Sequence, residues 1–406
     1  MRKILLTMAA LLMAGTAFAQ VSFTFNRTDA ESVSVTVRKN GEEANGVTAT
    51  LAFSGAETLQ TSGNGGTVPK EAISINRNTS NAQSDNPNEY TLTITNNSTE
   101  DLTFDYIKVS NIALTGTCGD QGYTVHRQRN FVVSYGNSTL PSEVKYICEG
   151  SKNRGNNKKP LDNFFNIPVQ TIEAEATYEI TIAIDNDGIS TENVNNGGKL
   201  NDGCFYGLTE IALVKKHTLS VGDAGYATLM LGYNASIPDN VKCYSAAVNG
   251  NYVTLADIND AVPAGTPVVV KVEEEGKDYE FVPVDYANAV TGNELKGTLS
   301  TKNITPETGK SCYVLSNLNG EVGFYKATLN QNENTAFQNN ANKAYLPVAN
   351  VNAARFLSFD FGTETAIEGV EGENGNVKTE IYDLAGRRVK AAQKGLYIVN
   401  GKVVIK

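Results

Sequence analysis

From Val21 onward, apolar and polar residues alternate in short runs, each closed by a cluster of Gly, Asn, Asp or Pro. A period of two puts every second side chain on one face, which predicts half-buried strands rather than helices. Glu89–Ser98, EYTLTITNNS, sets Tyr90, Leu92 and Ile94 against threonines at 91, 93 and 95. Asp101–Gly116 does the same with Leu102, Phe104 and Tyr106, then slips register. Ser32–Ala44 alternates and then meets Asn40-Gly41, a two-residue hairpin signal because both positions tolerate positive φ. RNFVVSYG (129–136) and ATYEITIAID (176–185) read as further strands, and GLTEIALVKK (207–216) as the last of the set. Such strands at short, regular spacing predict an antiparallel β-sandwich, jelly-roll or Ig-like, over residues 20–215.

A second β-rich unit is expected over 216–362. TPVVVKV (266–272) reads as a buried strand, and KDYEFVPV, KSCYVLSN, VGFYKAT and RFLSFDFG supply others. Leu255–Ala261 reads as a short helical turn stopped by Pro263 and Gly265. VEEEGKDYEF (272–281) reads as a charged hairpin turning at Gly276. Residues 363–376, TETAIEGVEGENGN, are acidic, Gly-rich and poor in large apolar groups, the composition of a flexible linker. Residues 377–406 end the chain in two hairpins, with Asn400-Gly401 as a two-residue turn. The fold class expected is therefore all-β in three modules.

The start of the chain breaks this pattern. Arg2 and Lys3 precede an apolar run from Ile4 to Gly15, and Ala17-Phe18-Ala19 offers small residues for cleavage. Residues 1–19 thus read as a secretory signal peptide that leaves Gln20 first in the mature chain. No second stretch is long and apolar enough to span a bilayer, so no transmembrane span is expected. The expected location is secreted, or at the cell surface on the exterior of the outer membrane.

Composition adds limits. At 406 residues the chain is too long for one typical domain. A formal net charge of -10 argues against nucleic acid as a partner. The five cysteines, at 118, 148, 204, 243 and 312, form no C-x-x-C. Export permits a disulfide, for which Cys118 and Cys148 are the favoured pair, while small buried hydrophobes are the equal alternative.

Catalytic patterns are absent. The two histidines, His126 and His217, sit in no metal-binding spacing, and neither a G-x-S-x-G elbow nor a phosphate loop occurs. The chain is accordingly read as not an enzyme. Asp185, Asp187 and Gly188 open like a calcium loop whose closing carboxylates are missing, so calcium is the one cofactor considered. SKNRGNNKKP (151–160) gathers Lys152, Arg154, Lys158 and Lys159 in one loop, a charge set suited to an anionic glycan or simply to solvent. Trp, the usual sugar-stacking residue, is absent, which leaves Tyr123, Tyr135 and Tyr206 near loops as substitutes.

Two stretches resemble known families. GYATL (225–229), IPDNVKCYSA (237–246), VPAGTPVVV (262–270), SCYVLSN (311–317), VGFYKA (322–327) and NKAYLPV (342–348) together resemble a β module of surface and secreted proteins in Gram-negative anaerobes. That likeness implies an accessory or display role and carries no catalytic residues. IYDLAGRRV (381–389), KGLYIV (394–399) and GKVVIK (401–406) are similar to the C-terminal sorting signal of type IX secretion substrates. The matching positions are Tyr382, Gly386, Arg387, Gly395, Tyr397, Gly401 and Lys402; Lys394 stands where that family has proline. This resemblance implies engagement of the secretion machinery through the tail, then release or surface attachment. The first unit is similar to jelly-roll carbohydrate-binding and discoidin-like sandwiches in its strand pattern alone.

The function expected is that of an exported, non-catalytic protein. Its N-terminal sandwich would bind a glycan or a host macromolecule, with a basic loop and Tyr206 as ligand residues. A structural or stalk protein of the cell surface is the first alternative, and a secreted hydrolase of polysaccharide or peptide the second.

Overall fold

The computed structural model describes residues 20–29, 31–54, 59, 62–63, 66–67, 70–73, 88–113, 127–148, 161–185, 206–329, 335–350 and 354–360, and four short strands between 381 and 405. The described residues are all β, in several antiparallel sheets. None forms a helix long and apolar enough to cross a membrane.

The first unit runs β1 (Gln20–Arg27), β2 (Val33–Lys39), β3 (Glu42–Glu43), β4 (Val47–Ser54), β5 (Ser62–Gly63), β6 (Gly66–Thr67), β7 (Asn88–Asn96), β8 (Leu102–Ala113), β9 (Arg127–Tyr135), β10 (Ser138–Thr139), β11 (Glu143–Cys148), β12 (Leu161–Ile172), β13 (Ala176–Asp185) and β14 (Tyr206–Val214). One sheet has the order β12-β8-β14-β1-β2-β3; the other has β10-β9-β13-β7-β4, with β11 also paired to β9. The two pack face to face through the alternating apolar residues. Phe23, Phe104, Phe165 and Ile211 meet Tyr90, Leu92, Phe131 and Ile182 in one buried cluster.

The register slip in β8 is present. Leu102 and Phe104 enter the sandwich core, as do Ile107 and Val109, three residues out of step. Between them Tyr106 turns outward and joins a different core. The pairing of β12 with β8 shifts at the same place, between Asn166 and Gln170. Such a bulge re-aims side chains and increases twist. At the Asn40-Gly41 turn both residues take positive φ, 51° and 82°, and Lys39 pairs with Glu42 across it.

The second unit follows as β15 (His217–Ser220), β16 (Tyr226–Leu229), β17 (Ala235–Ser236), β18 (Val241–Asn249), β19 (Tyr252–Ile258), β20 (Ala261–Val262), β21 (Val268–Val272), β22 (Asp278–Phe281), β23 (Lys296–Thr298), β24 (Lys302–Ile304), β25 (Lys310–Leu318), β26 (Glu321–Lys326), β27 (Phe337–Asn339), β28 (Lys343–Ala349) and β29 (Phe356–Asp360). Nine of these form a sheet of order β16-β21-β18-β19-β29-β26-β25-β28-β23, in which β19 and β29 run parallel.

Two expectations are corrected here. Leu255–Ala261 is no helical turn: Leu255–Ile258 belongs to β19, paired with β18 from Asn249↔Tyr252 to Cys243↔Ile258. Val253 and Leu255 bury on a period of two, and pairing with β18 satisfies a backbone that one isolated helical turn would leave exposed. VEEEGKDYEF is not a hairpin either. β21 pairs with β16 and β18, whereas β22 pairs with β15 in a separate sheet. Its acidic turn at Gly276 (φ 72°) carries the chain from one sheet to the other.

The units meet over the outer face of the β8–β14 sheet. Tyr106, Phe164, Ala212 and Val214 from the sandwich join Tyr233, Leu229 and Phe281 in one core. Phe164 and Tyr233 pack edge to face at 6.4 Å between ring centroids. Beyond residue 362, β30 (Ile381–Asp383), β31 (Arg388–Val389), β32 (Leu396–Val399) and β33 (Lys402–Ile405) pair in the order β31-β30-β32-β33.

Candidate functional site

The ends of the sandwich are unequal. At one end the connections are short: Asn40-Gly41, 97–101, 136–137 and 173–175. At the other end lie the strand termini that flank 55–87, 114–126, 149–160 and 186–205. The registers show the convergence. Ser54 pairs with Glu89 and Asn88 with Ile184. Tyr206 pairs with Ala113, Leu161 with Asn111, and Cys148 with Arg127. Each long connection therefore starts and finishes at this end. Alternating crossings between two antiparallel sheets produce this asymmetry, as in other sandwiches whose variable loops share an end.

The sequence-predicted ligand residues fall here by backbone position. Tyr206 opens β14 and Asp185 closes β13 opposite Asn130. Lys152, Arg154, Lys158 and Lys159 belong to the 149–160 connection and Asp187 to the 186–205 connection, and all five lie outside the described residues. So do Tyr123, His126, Cys118 and Cys204. Cys148 ends β11, while Cys243 and Cys312 are free, buried thiols. Tyr135 is corrected: it is 5% exposed, packs in the core, and sits at the short-turn end opposite Ile180. Among the described residues no three His, Cys, Asp or Glu side chains gather as a metal site would require. In the tail, Tyr382 pairs with Ile398, Tyr397 with Val404, and Lys402 with Val399; Gly386, Arg387, Gly395 and Gly401 lie outside the described residues.

A second constellation, missed from sequence, lies in the second unit. The nine-stranded sheet curls until its first strand, β16, meets β28. This seam is held mostly by side chains. Ala344 N–H donates to Thr228 Oγ1 at 3.0 Å, and the Thr228 hydroxyl donates to the Ala344 carbonyl at 3.3 Å. Met230 N–H donates to the Asn342 carbonyl at 3.0 Å, and Asn342 Nδ2 returns a bond to the Met230 carbonyl at 2.8 Å.

Beside the seam opens a cavity of about 300 Å³, whose walls include Ser220, Tyr226, Thr228, Ser316, Asn317 and Lys343. Burial lowers the affinity of the Lys343 amine for its proton. Burial, and then the Lys343 charge, push the His217 imidazole down to about 4, so His217 is neutral at pH 7. No described carboxylate forms an ion pair with Lys343. Two acids stand near the rim, Asp278, which accepts from Ser220 Oγ at 2.5 Å, and Glu275, beside Gly225.

Lys343 was hidden by its parity. In β28, Ala344, Leu346 and Val348 bury while Lys343 and Tyr345 take the opposite face, the ordinary pattern for a solvated lysine. Only the fold brings Thr228, 116 residues from Ala344 in the chain, to the same cavity. Among family models, curated proteins and solved structures, none matches this chain.

Proposed function

We propose that the chain is an exported, non-catalytic protein, secreted or held at the cell surface, whose N-terminal sandwich binds a glycan or host macromolecule. The observation that carries this reading is the convergence of 55–87, 114–126, 149–160 and 186–205 on one end of the sandwich. A rigid sandwich with long polar loops at one end is a common platform for recognition. Lys152, Arg154, Lys158 and Lys159 supply positive charge to that end of an acidic chain, and Tyr206 stands at its base. Calcium at Asp185 and Asp187 would order the neighbouring loop. The signal-like start and the sorting-like tail supply the export half of the reading; the tail pairs with the secretion machinery through open strand edges.

The test is a glycan and matrix-protein array probed with the chain from residue 20 to 406, because the units share a core. Saturable binding, reduced at least tenfold when Lys152, Arg154, Lys158 and Lys159 are all changed to Gln, is the expected result. A blank array, or binding that the four changes leave intact, overturns the loop reading. Export is tested by locating the full chain and a chain cut after Asn376; equal arrival at the surface overturns the sorting role. One observation favours a stalk as second reading: the shared core around Phe164 and Tyr233 fixes one unit against the other.

A further inference from the structure

We propose that the cavity at the β16–β28 seam is a second binding site, for a carboxylate-bearing ligand about the size of one sugar ring, with Lys343 as its counter-ion. This inference is independent of the sandwich loops. It rests first on shape. A cavity of about 300 Å³ lies at the lower bound for small-ligand sites, room for about one ring.

It rests next on charge. A partly buried ammonium without an ion-pair partner among the described residues is costly, and such groups are ordinarily paired. Lys108 and Lys145, two described lysines with little exposed side chain, both follow that rule: Lys108 meets Glu210 at 2.8 Å and Lys145 meets Asp285 at 3.4 Å. Lys343 departs from it. An incoming carboxylate would supply the missing charge through a charge-assisted hydrogen bond.

The remaining walls suit the rest of such a ligand. Ser316 and Asn317 offer a hydroxyl and an amide, while the Ser220 hydroxyl already donates to Asp278. Tyr226 is a fixed wall rather than a stacking platform, since its ring already meets Phe359 at 5.3 Å and Lys271 Nζ at 5.6 Å. Asp278 and Glu275 at the rim disfavour a second negative group, so the site selects a single carboxylate over a polyanion.

The experiment uses the chain from 20 to 406 with sodium glucuronate as probe, and glucose and sodium acetate as comparators, followed by calorimetry. Saturable glucuronate binding is expected, at least tenfold tighter than either comparator. Lys343→Met is expected to weaken it at least tenfold, and Lys271→Met less than threefold. In the unmodified protein, glucuronate should slow acetylation of Lys343, read by mass spectrometry, relative to Lys302. This second measurement decides the matter even if Lys343→Met unfolds. Equal affinity for glucose and glucuronate, full binding by a folded Lys343→Met protein, or unprotected Lys343 at saturating glucuronate each overturns the proposal.

Discussion

Asp285 of the second unit accepts the backbone N–H of Phe164 in the sandwich at 2.7 Å. The same carboxylate reaches Lys145 Nζ at 3.4 Å, and Lys145 in turn donates to the Phe164 carbonyl at 3.1 Å. One acid of one unit thus serves both backbone groups of a residue in the other, the N–H directly and the carbonyl through Lys145. Asp285→Ala should cost about 1–3 kcal/mol, the range for losing a hydrogen bond to a charged acceptor at a partly buried site. Urea unfolding would show it. Limited proteolysis should also cut the 216 region faster in the variant, because the clamp between units is gone.

Lys108 is a stronger case. It is 7% exposed at its side chain, with Glu210 at 2.8 Å and Asp162 at 3.9 Å. Removing only the cation leaves a carboxylate in poor solvent. Lys108→Met should destabilise by about 3 kcal/mol, and the double change with Glu210→Leu should recover a large part of it. Equal melting of the single and double variants would contradict this account.

Stability should fall with acid in a window set by His217. Its folded pKa is pushed down to about 4 from 6.5. Between pH 6.5 and 4 the unfolded chain therefore takes up a proton that the folded chain refuses, and stability declines as pH drops through that range. Full burial would make the loss about 3 kcal/mol, and residual solvent contact reduces it. His217→Gln should flatten the urea midpoint between pH 6.5 and 4.5. The carboxylates held low, Glu42 by Lys302 and Glu100 by Lys39, lose their contribution only at lower pH.

Gly323 admits no side chain. A Cβ there would lie 2.6 Å from the Leu357 carbonyl oxygen and overlap the Phe356 ring. Gly323→Ala should cost roughly 2–3 kcal/mol by overpacking. At Gly292, φ is +70° and the space is open, so Gly292→Ala should cost nearer ~1 kcal/mol. Thermal melts of the two variants separate crowding from backbone strain.

Cys243 is 1% exposed and burial pushes its thiol up to about 12. Thiolate is the reactive form, so iodoacetamide at pH 8 should leave Cys243 unmodified in the folded chain and alkylate it in urea. Peptide mapping reads both outcomes.

The period-two runs made the strands legible, and Asn40-Gly41 made one turn legible down to its φ angles. Even the slip in β8 was visible, because Phe104 and Ile107 are three apart. Short apolar runs with no clear period were misread. Leu255–Ile258 carries its pairing partner, Cys243–Ala246, on a different strand, and no local signal announces that. VEEEGKDYEF failed for a related reason: a turn flanked by two strands looks the same whether those strands pair or part. The loop-end residues are candidates on chemistry alone; the topology gathers only the strand ends that flank them. Lys343 escaped because its environment is made by β16, far away in the chain.

The position of β1 has a consequence for how the chain is made. β1 lies inside its sheet, between β2 and β14, with Gln20 opposite Val214. One edge of the first strand therefore waits unpaired until nearly two hundred further residues have emerged. Long-range closure of this kind is slow. Until β14 emerges that edge of β1 stays open, a template for mispairing with other strands during synthesis and one that a chaperone can shield.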